Sequence, residues 1–288
     1  MSDPEPQIER TIVVTVDAAL ADIVTDRLWQ LGVRAVSEVG LPDGRVDVST
    51  SVGNDDVAIA RATGALDPAW PVEVRDLDAS IVQVAAEFLS PTWYSPGKVC
   101  IPASCLDAKW SGSDPIDSAD LVTVIDQGSA FGLGDHPTTR TSMALLAQLL
   151  DSGDQTCDRL LDVGCGTGAL AVLAAQLGVP TIRAIDIADA AVESTLRNET
   201  LNDVVGRIEV DTTPVAMVDG RWDVIMANIL APVLISMADD FHRLLRPGGS
   251  LIISGILADR HDHVLAALDP LTPVDSLTHE GWISIELR

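Results

Sequence analysis

The chain has 288 residues, enough apolar material for a sizeable core, and a formal net charge of −25 from 43 acidic against 18 basic residues. So acidic a surface repels phosphate backbones and anionic membranes, which argues against direct nucleic-acid or membrane binding and favours a basic protein partner. Cys100, Cys105, Cys157 and Cys165 lack the paired spacing of a zinc site, no apolar run approaches a membrane span, and the first residues carry no secretion signal, so a cytoplasmic monomer with reduced thiols and no metal is expected.

Residues 11–16 are β-branched and strand-like, and 18–31 carry apolar residues at helical spacing up to Gly32. Stretches 35–39 and 45–52 read as strands about the turn Pro42-Asp43-Gly44, and a helix at 55–66 leads to a strand at 71–75. The order βαββαβ predicts a small α+β ferredoxin-like unit over residues 1–78. It holds no concentrated polar constellation, so it reads as a substrate-recognition module. Residues 79–118 mix apolar stretches with Pro91, Pro96, Gly97 and Pro102 and read as a linker.

A different pattern fills residues 119–288. A strand at 121–126 leads into a connector with Phe131, Gly132, Leu133, Gly134 and His136, then into a helix running to Leu150 with Thr138 or Thr139 as its N-cap. Next come a strand at 159–163, the glycine turn Asp162-Val163-Gly164-Cys165-Gly166-Thr167-Gly168, and an alanine- and leucine-rich helix at 169–177. Glycine lets a ligand approach the backbone, and the helix start offers unpaired amides. The spacing G-x-G-x-G differs from the dinucleotide G-x-G-x-x-G, so NAD is the weaker reading. A second strand, 181–186, ends in Asp186, placed to accept both hydroxyls of a ribose. Strand 208–211 ends in Asp211, a weaker candidate for the adenine side. Strand 222–228 ends in Asn228, whose side-chain carbonyl can accept an amine N–H and aim the nitrogen lone pair. A turn at 246–249, a strand at 250–255 and a final alternating run at 281–287 follow. Strands alternating with helices predict a doubly wound, mostly parallel sheet with its ligand at the carboxyl ends of the strands.

The motif around Gly164 resembles the first motif of the class I S-adenosylmethionine (SAM) methyltransferases. The stretch Ala130-Phe131-Gly132-x-Gly134-x-His136-Pro137-Thr138-Thr139, together with Ala227-Asn228-Ile229-Leu230, is similar to the PrmA family, which methylates lysines of the stalk-base protein of the large ribosomal subunit. Leu133 stands where that family has threonine, and Asp126-Gln127-Gly128 where it has D-P-G. The resemblance implies a seven-stranded sheet and SAM as cofactor, with Gly132, Leu133, His136, Thr139, Asp162, Gly164, Gly166, Asp186 and Asn228 about the cofactor. It also implies Asn228 and Phe131 at the reacting amine. The implied function is lysine N-methylation of a basic ribosomal protein. A small-molecule N- or O-methyltransferase reusing the same domain, and a SAM-binding interaction protein, are the other readings.

Overall fold

A computed structural model describes residues 8–29, 31, 33, 36–52, 55–78, 91–105, 118–126, 130, 132, 134–153 and 156–288. The chain divides into two compact units, Met1–Phe88 and Leu89–Arg288.

In the first unit β1 (Ile8–Asp17), α1 (Ala18–Trp29), β2 (Ser37–Gly40), β3 (Arg45–Ser51), α2 (Asp56–Gly64) and β4 (Val72–Asp78) follow in order. The strands form one sheet in the order β2-β3-β1-β4, and every pair is antiparallel. This is the ferredoxin-like arrangement expected from the βαββαβ pattern. Alternation sorts β1: Ile12, Val14 and Val16 join Val24 and Leu28 in a core, while Thr15 turns to the other face and donates to Asp47 at 2.6 Å. Arg75 reaches the same Asp47 at 3.0 Å and also pairs with Glu73. One face is therefore apolar and the other carries charge.

The second unit opens with a three-stranded sheet of β5 (Thr92–Ser95), β6 (Lys98–Pro102) and β7 (Leu121–Ile125). Two of these strands lie inside the stretch read as a linker. The tight turn at Pro96-Gly97, with Gly97 at φ +70, lets β5 fold back antiparallel on β6, and Val99, Cys100 and Ile101 are buried. Prolines spaced along that stretch punctuate a hairpin as readily as a linker. Residues 79–90 and 106–117 of the stretch lie outside the described residues.

After α3 (Pro137–Ser152) come β8 (Arg159–Val163), α4 (Ala169–Gln176), β9 (Thr181–Ile185), α5 (Asp189–Leu201), β10 (Ile208–Asp211), β11 (Trp222–Asn228), α6 (Ala231–Ser236), α7 (Ala238–Leu244), β12 (Leu245–Leu257), α8 (Asp262–Ala267), β13 (Pro273–His279) and β14 (Trp282–Leu287). The seven strands β8 to β14 make one sheet in the order β10-β9-β8-β11-β12-β14-β13. Strands β10 to β12 in that order run parallel, and β14 and β13 are antiparallel additions at one edge. Strand order reverses between β8 and β11, which opens a crevice at their carboxyl ends. The parallel strands are apolar on both faces because helices cover both: β8 and α4 bury nearly every side chain. The turn expected at residues 246–249 is a bulge within β12, since Trp222 pairs with Leu245 but Val224 with Ser250.

Candidate active site

Strand β8 delivers the chain to a turn in which Gly164, Gly166 and Gly168 all take left-handed φ values of 71°, 54° and 77°. The turn is pinned from below, because the amides of Gly164 and Cys165 both donate to the carbonyl of Ile185 at 2.8 and 3.1 Å. A Cβ on Gly164 would lie 2.3 Å from Cγ2 of Ile229, so only glycine admits the segment after Asn228 this close. Gly168 caps α4 without any side-chain hydrogen bond, which leaves the amides of its first turn to a ligand.

Asp186 stands at the tip of β9. One carboxylate oxygen accepts the Gly166 amide at 3.0 Å and the other accepts the Ala188 amide at 3.0 Å. An ionised carboxylate has about four lone-pair sites, so each oxygen can still accept a hydroxyl. Asp162 lies beneath the same turn, 1 % exposed, and neither of its oxygens has a hydrogen-bond partner. Burial pushes its pKa up to about 7; the Ala171 amide works against this by its dipole without closing a hydrogen bond, and the charge of Asp186 adds to the rise.

Gly132, Thr139, Gly164, Thr167, Leu170 and Asn228 line one small cleft at this edge. Two polar atoms of these residues, Oγ1 of Thr139 and Oδ1 of Asn228, are buried and have no hydrogen-bond partner among the described residues. Buried polar atoms of folded proteins are nearly all paired, so two orphans in one cleft mark a place made for a ligand. Phe131 and Leu133 lie outside the described residues. His136, and neither Thr138 nor Thr139, is the N-cap of α3. Pro137 explains this, because its fixed φ suits the first helical position and pushes the residue before it into the extended region a cap requires. Nδ1 of His136 accepts the Thr138 amide at 3.3 Å and meets the Thr138 hydroxyl at 2.7 Å, while the ring stands edge-on to Trp282 at 5.6 Å. Burial lowers its pKa against the opposing charges of Asp135 and Glu280. Asp211 is committed elsewhere, accepting Arg183 at 2.8 Å and the Thr213 amide at 2.7 Å.

Residues that the sequence reading passed over hold the turn in place. Asn198 on α5 donates to the carbonyls of Thr167 at 2.8 Å and Asp126 at 3.0 Å, and accepts the Asp126 amide. Thr167 itself donates to the Gly132 carbonyl at 2.7 Å. Asn202 does for Val124 what Asn198 does for Asp126, closing both its amide and its carbonyl. Thr195, Asn198 and Asn202 are spaced i, i+3, i+7, a polar stripe on one helix face. That spacing was the signal available. On the other side, a Cβ at Gly134 would strike Sγ of Cys100 at 2.2 Å, so β6 seats the connector before α3.

The chemistry of this donor set suits a nucleoside bearing an amino-acid tail: helix-start amides without a side-chain cap for a carboxylate, Asp186 for ribose hydroxyls, and a turn of left-handed glycines that keeps its backbone bare. With the 3-2-1-4-5-7-6 order of its sheet, counted from β8, the unit is a class I SAM-dependent methyltransferase.

Residues 93–288 match the family described as ribosomal protein L11 methyltransferase (PrmA). A ribosomal protein L11 methyltransferase of Methylococcus capsulatus is 34 % identical over 95 % of this chain and 97 % of its own, and one of Thiobacillus denitrificans is 30 % identical over 96 % and 97 %. The crystal structure of the ribosomal protein L11 methylase of Lactobacillus delbrueckii subsp. bulgaricus superposes with a TM-score of 0.57 at 28 % identity, over 69 % of this chain and 97 % of that one. The chain belongs to the PrmA family.

Proposed function

We propose that this protein transfers methyl groups from SAM to lysine amino groups of ribosomal protein L11. The relatives named above, aligned over nearly their whole length, support the substrate. One observation supports the chemistry beyond the family likeness: the buried, unpaired Oδ1 of Asn228 at the mouth of the glycine cradle. When bound, SAM supplies an electrophilic methyl and its own leaving group, so the protein has little acid–base work to do. Its residues instead bind, align and exclude water. The carboxylate of Asp186 holds the ribose, and the first-turn amides of α4 meet the carboxylate of the methionine tail. Oδ1 of Asn228 accepts one N–H of the neutral lysine amine and so points the nitrogen lone pair along the line of transfer. A lysine has a reference pKa near 10.4 and must shed its proton on entry; no carboxylate is among the described residues that line the cleft, and burial there favours the neutral amine. Phe131 is proposed as a further residue at the amine and Leu133 as one at the cofactor.

The first unit is proposed to hold the protein substrate, with the acid-rich surface of the chain drawing a basic partner. Four cysteines in thiol form fit a reducing, cytoplasmic setting. Incubation with methyl-labelled SAM and either purified L11 or a protein-free metabolite extract tests the proposal. Label is expected in L11, and on its lysines; label only in the extract would replace this reading with a small-molecule methyltransferase.

A further inference from the structure

A line of buried hydroxyls runs behind the cleft, from the first turn of α3 to the strands beside Asn228. Oγ of Ser284 on β14 is 2.6 Å from Oγ1 of Thr141 on α3 and donates to Oγ of Ser254 on β12 at 2.7 Å. Ser142 stands 3.4 Å from the same Ser284 oxygen. Ser254 completes the line with longer bonds to the carbonyls of Thr138 at 3.5 Å and Ile283 at 3.4 Å. Ser254 and Ser284 are fully buried, and Ser142 and Thr141 nearly so.

Two neighbours give this line its meaning. Ser254 is the register partner of Asn228 across β11 and β12. At the other end, Thr141 follows two residues after Thr139, which lines the same cleft as Asn228 and whose Oγ1, like Oδ1 of Asn228, has no partner among the described residues. The helix turn that carries one orphan atom is thus fastened by directional bonds to the strand beside the other. Apolar packing alone would fill this contact, but it is non-directional and lets a helix slide along a sheet. Hydrogen bonds between buried hydroxyls fix a register, and they are strong because no water competes.

We propose that Thr141, Ser254 and Ser284 are positioning residues for methyl transfer, a clamp that fixes the spacing between Thr139 and Asn228. This rests on the function proposed above. No hydrogen bond joins any of the three to the glycine turn or to Asp186, so the clamp acts mainly on alignment in the transition state and reaches SAM affinity only weakly, through Thr139. Misplacing a reacting group by about 1 Å costs up to about 10²-fold in rate, and a loosened clamp falls within that range.

Thr141→Val keeps the volume and removes the hydroxyl, whereas Thr141→Ser keeps the hydroxyl and removes a methyl. With purified L11 and labelled SAM, Thr141→Val and Ser284→Ala are expected to lower kcat roughly tenfold while the Kd for SAM, by calorimetry, stays within about threefold. Thr141→Ser is expected to keep kcat near wild type. If Thr141→Val retains kcat within about twofold, or if Thr141→Ser loses as much as Thr141→Val, the hydroxyls only pack and the proposal is overturned. If wild-type protein places no label on L11, the function proposed above fails by itself, and amide hydrogen exchange then decides the clamp. Faster exchange at Arg140 and Thr141 in Thr141→Val but not in Thr141→Ser supports it, and equal exchange in all three proteins overturns it.

Discussion

Two aspartates on neighbouring parallel strands, at opposite ends of the same sheet, are treated in opposite ways. Asp223, near the start of β11, is 6 % exposed, and one of its oxygens accepts the amides of Asp158 at 2.7 Å and Arg159 at 2.9 Å. Its other oxygen is 2.9 Å from Nε of Arg246, off the line of a hydrogen bond, so that contact is ionic. Asp162, near the end of β8, is 1 % exposed, and neither of its oxygens closes a hydrogen bond among the described residues. Trp222 leaves its indole N–H unpaired at the amino end, but Arg159 stacks on its ring at 4.5 Å. The amino ends of the strands are largely finished by the chain itself. The carboxyl ends hold Asp162, Thr139 and Asn228 incomplete, and a fold that leaves polar groups unpaired there has given up stability for binding.

Breaking the finished end should cost the most. Asp223→Ala leaves two amides without their acceptor and takes the ionic partner from Arg246, which keeps its bond to the Thr156 carbonyl, and is expected to destabilise the protein by about 3 kcal/mol in urea unfolding while leaving kcat at low temperature unchanged. A small stability loss would mean that water can replace this carboxylate and that the two ends do not differ as described. At the incomplete end the same kind of truncation should leave stability nearly untouched and strike turnover. Asn228→Ala is expected to lower kcat by roughly 10²-fold, about 2.7 kcal/mol, with SAM affinity within about threefold by calorimetry. Equal losses in kcat and in SAM affinity would assign Asn228 to the cofactor.

This asymmetry also decides what could be read from the sequence. Both sheets, the ferredoxin-like order and the crevice at the strand tips follow from periodicity and from glycine placement, because burial on one face or two writes itself into the alternation of apolar residues. Gly164, Asp186 and Asn228 stood out because each ends a strand and is the wrong residue type for a core. The hairpin at residues 92–102 was hidden by its own prolines. The capping role of His136 was missed because Pro137 moves the helix start two or three residues ahead of the expected threonine caps. Asn198 and Thr195 showed only as a polar stripe on a helix face and Ser284 not at all, because their partners lie 29 to 143 positions away in sequence and a polar side chain gives no hint of what it will meet.

Asp186→Ala sits between the extremes, since it removes both an internal bond and a ligand bond. Loss of its acceptors should weaken SAM binding by roughly tenfold or somewhat more, about 1.4–2 kcal/mol, and free the Gly166 amide. Unchanged affinity by calorimetry would remove Asp186 from the ribose site.

The smallest effect, and the one of opposite sign, belongs to Asp162. Its carboxyl titrates near 7 in the fold against an ordinary value of 3.8, and burial is the main cause. Between those values the unfolded chain has lost the proton and the folded chain still holds it, so stability falls as pH rises from about 4 to about 7. At about 1.36 kcal/mol per unit, this ionisation costs on the order of 4 kcal/mol across the window. Asp162→Asn cannot titrate, and its buried amide carries a fixed penalty of about 1–3 kcal/mol for its own unpaired groups. At pH 5 the variant should therefore be no more stable than wild type, and at pH 7.5 more stable by about 1 kcal/mol, in urea unfolding without SAM. A variant that loses stability equally at both pH values would mean that Asp162 is ionised and solvated in the fold, and the carboxyl end of the sheet would then be no less complete than the amino end.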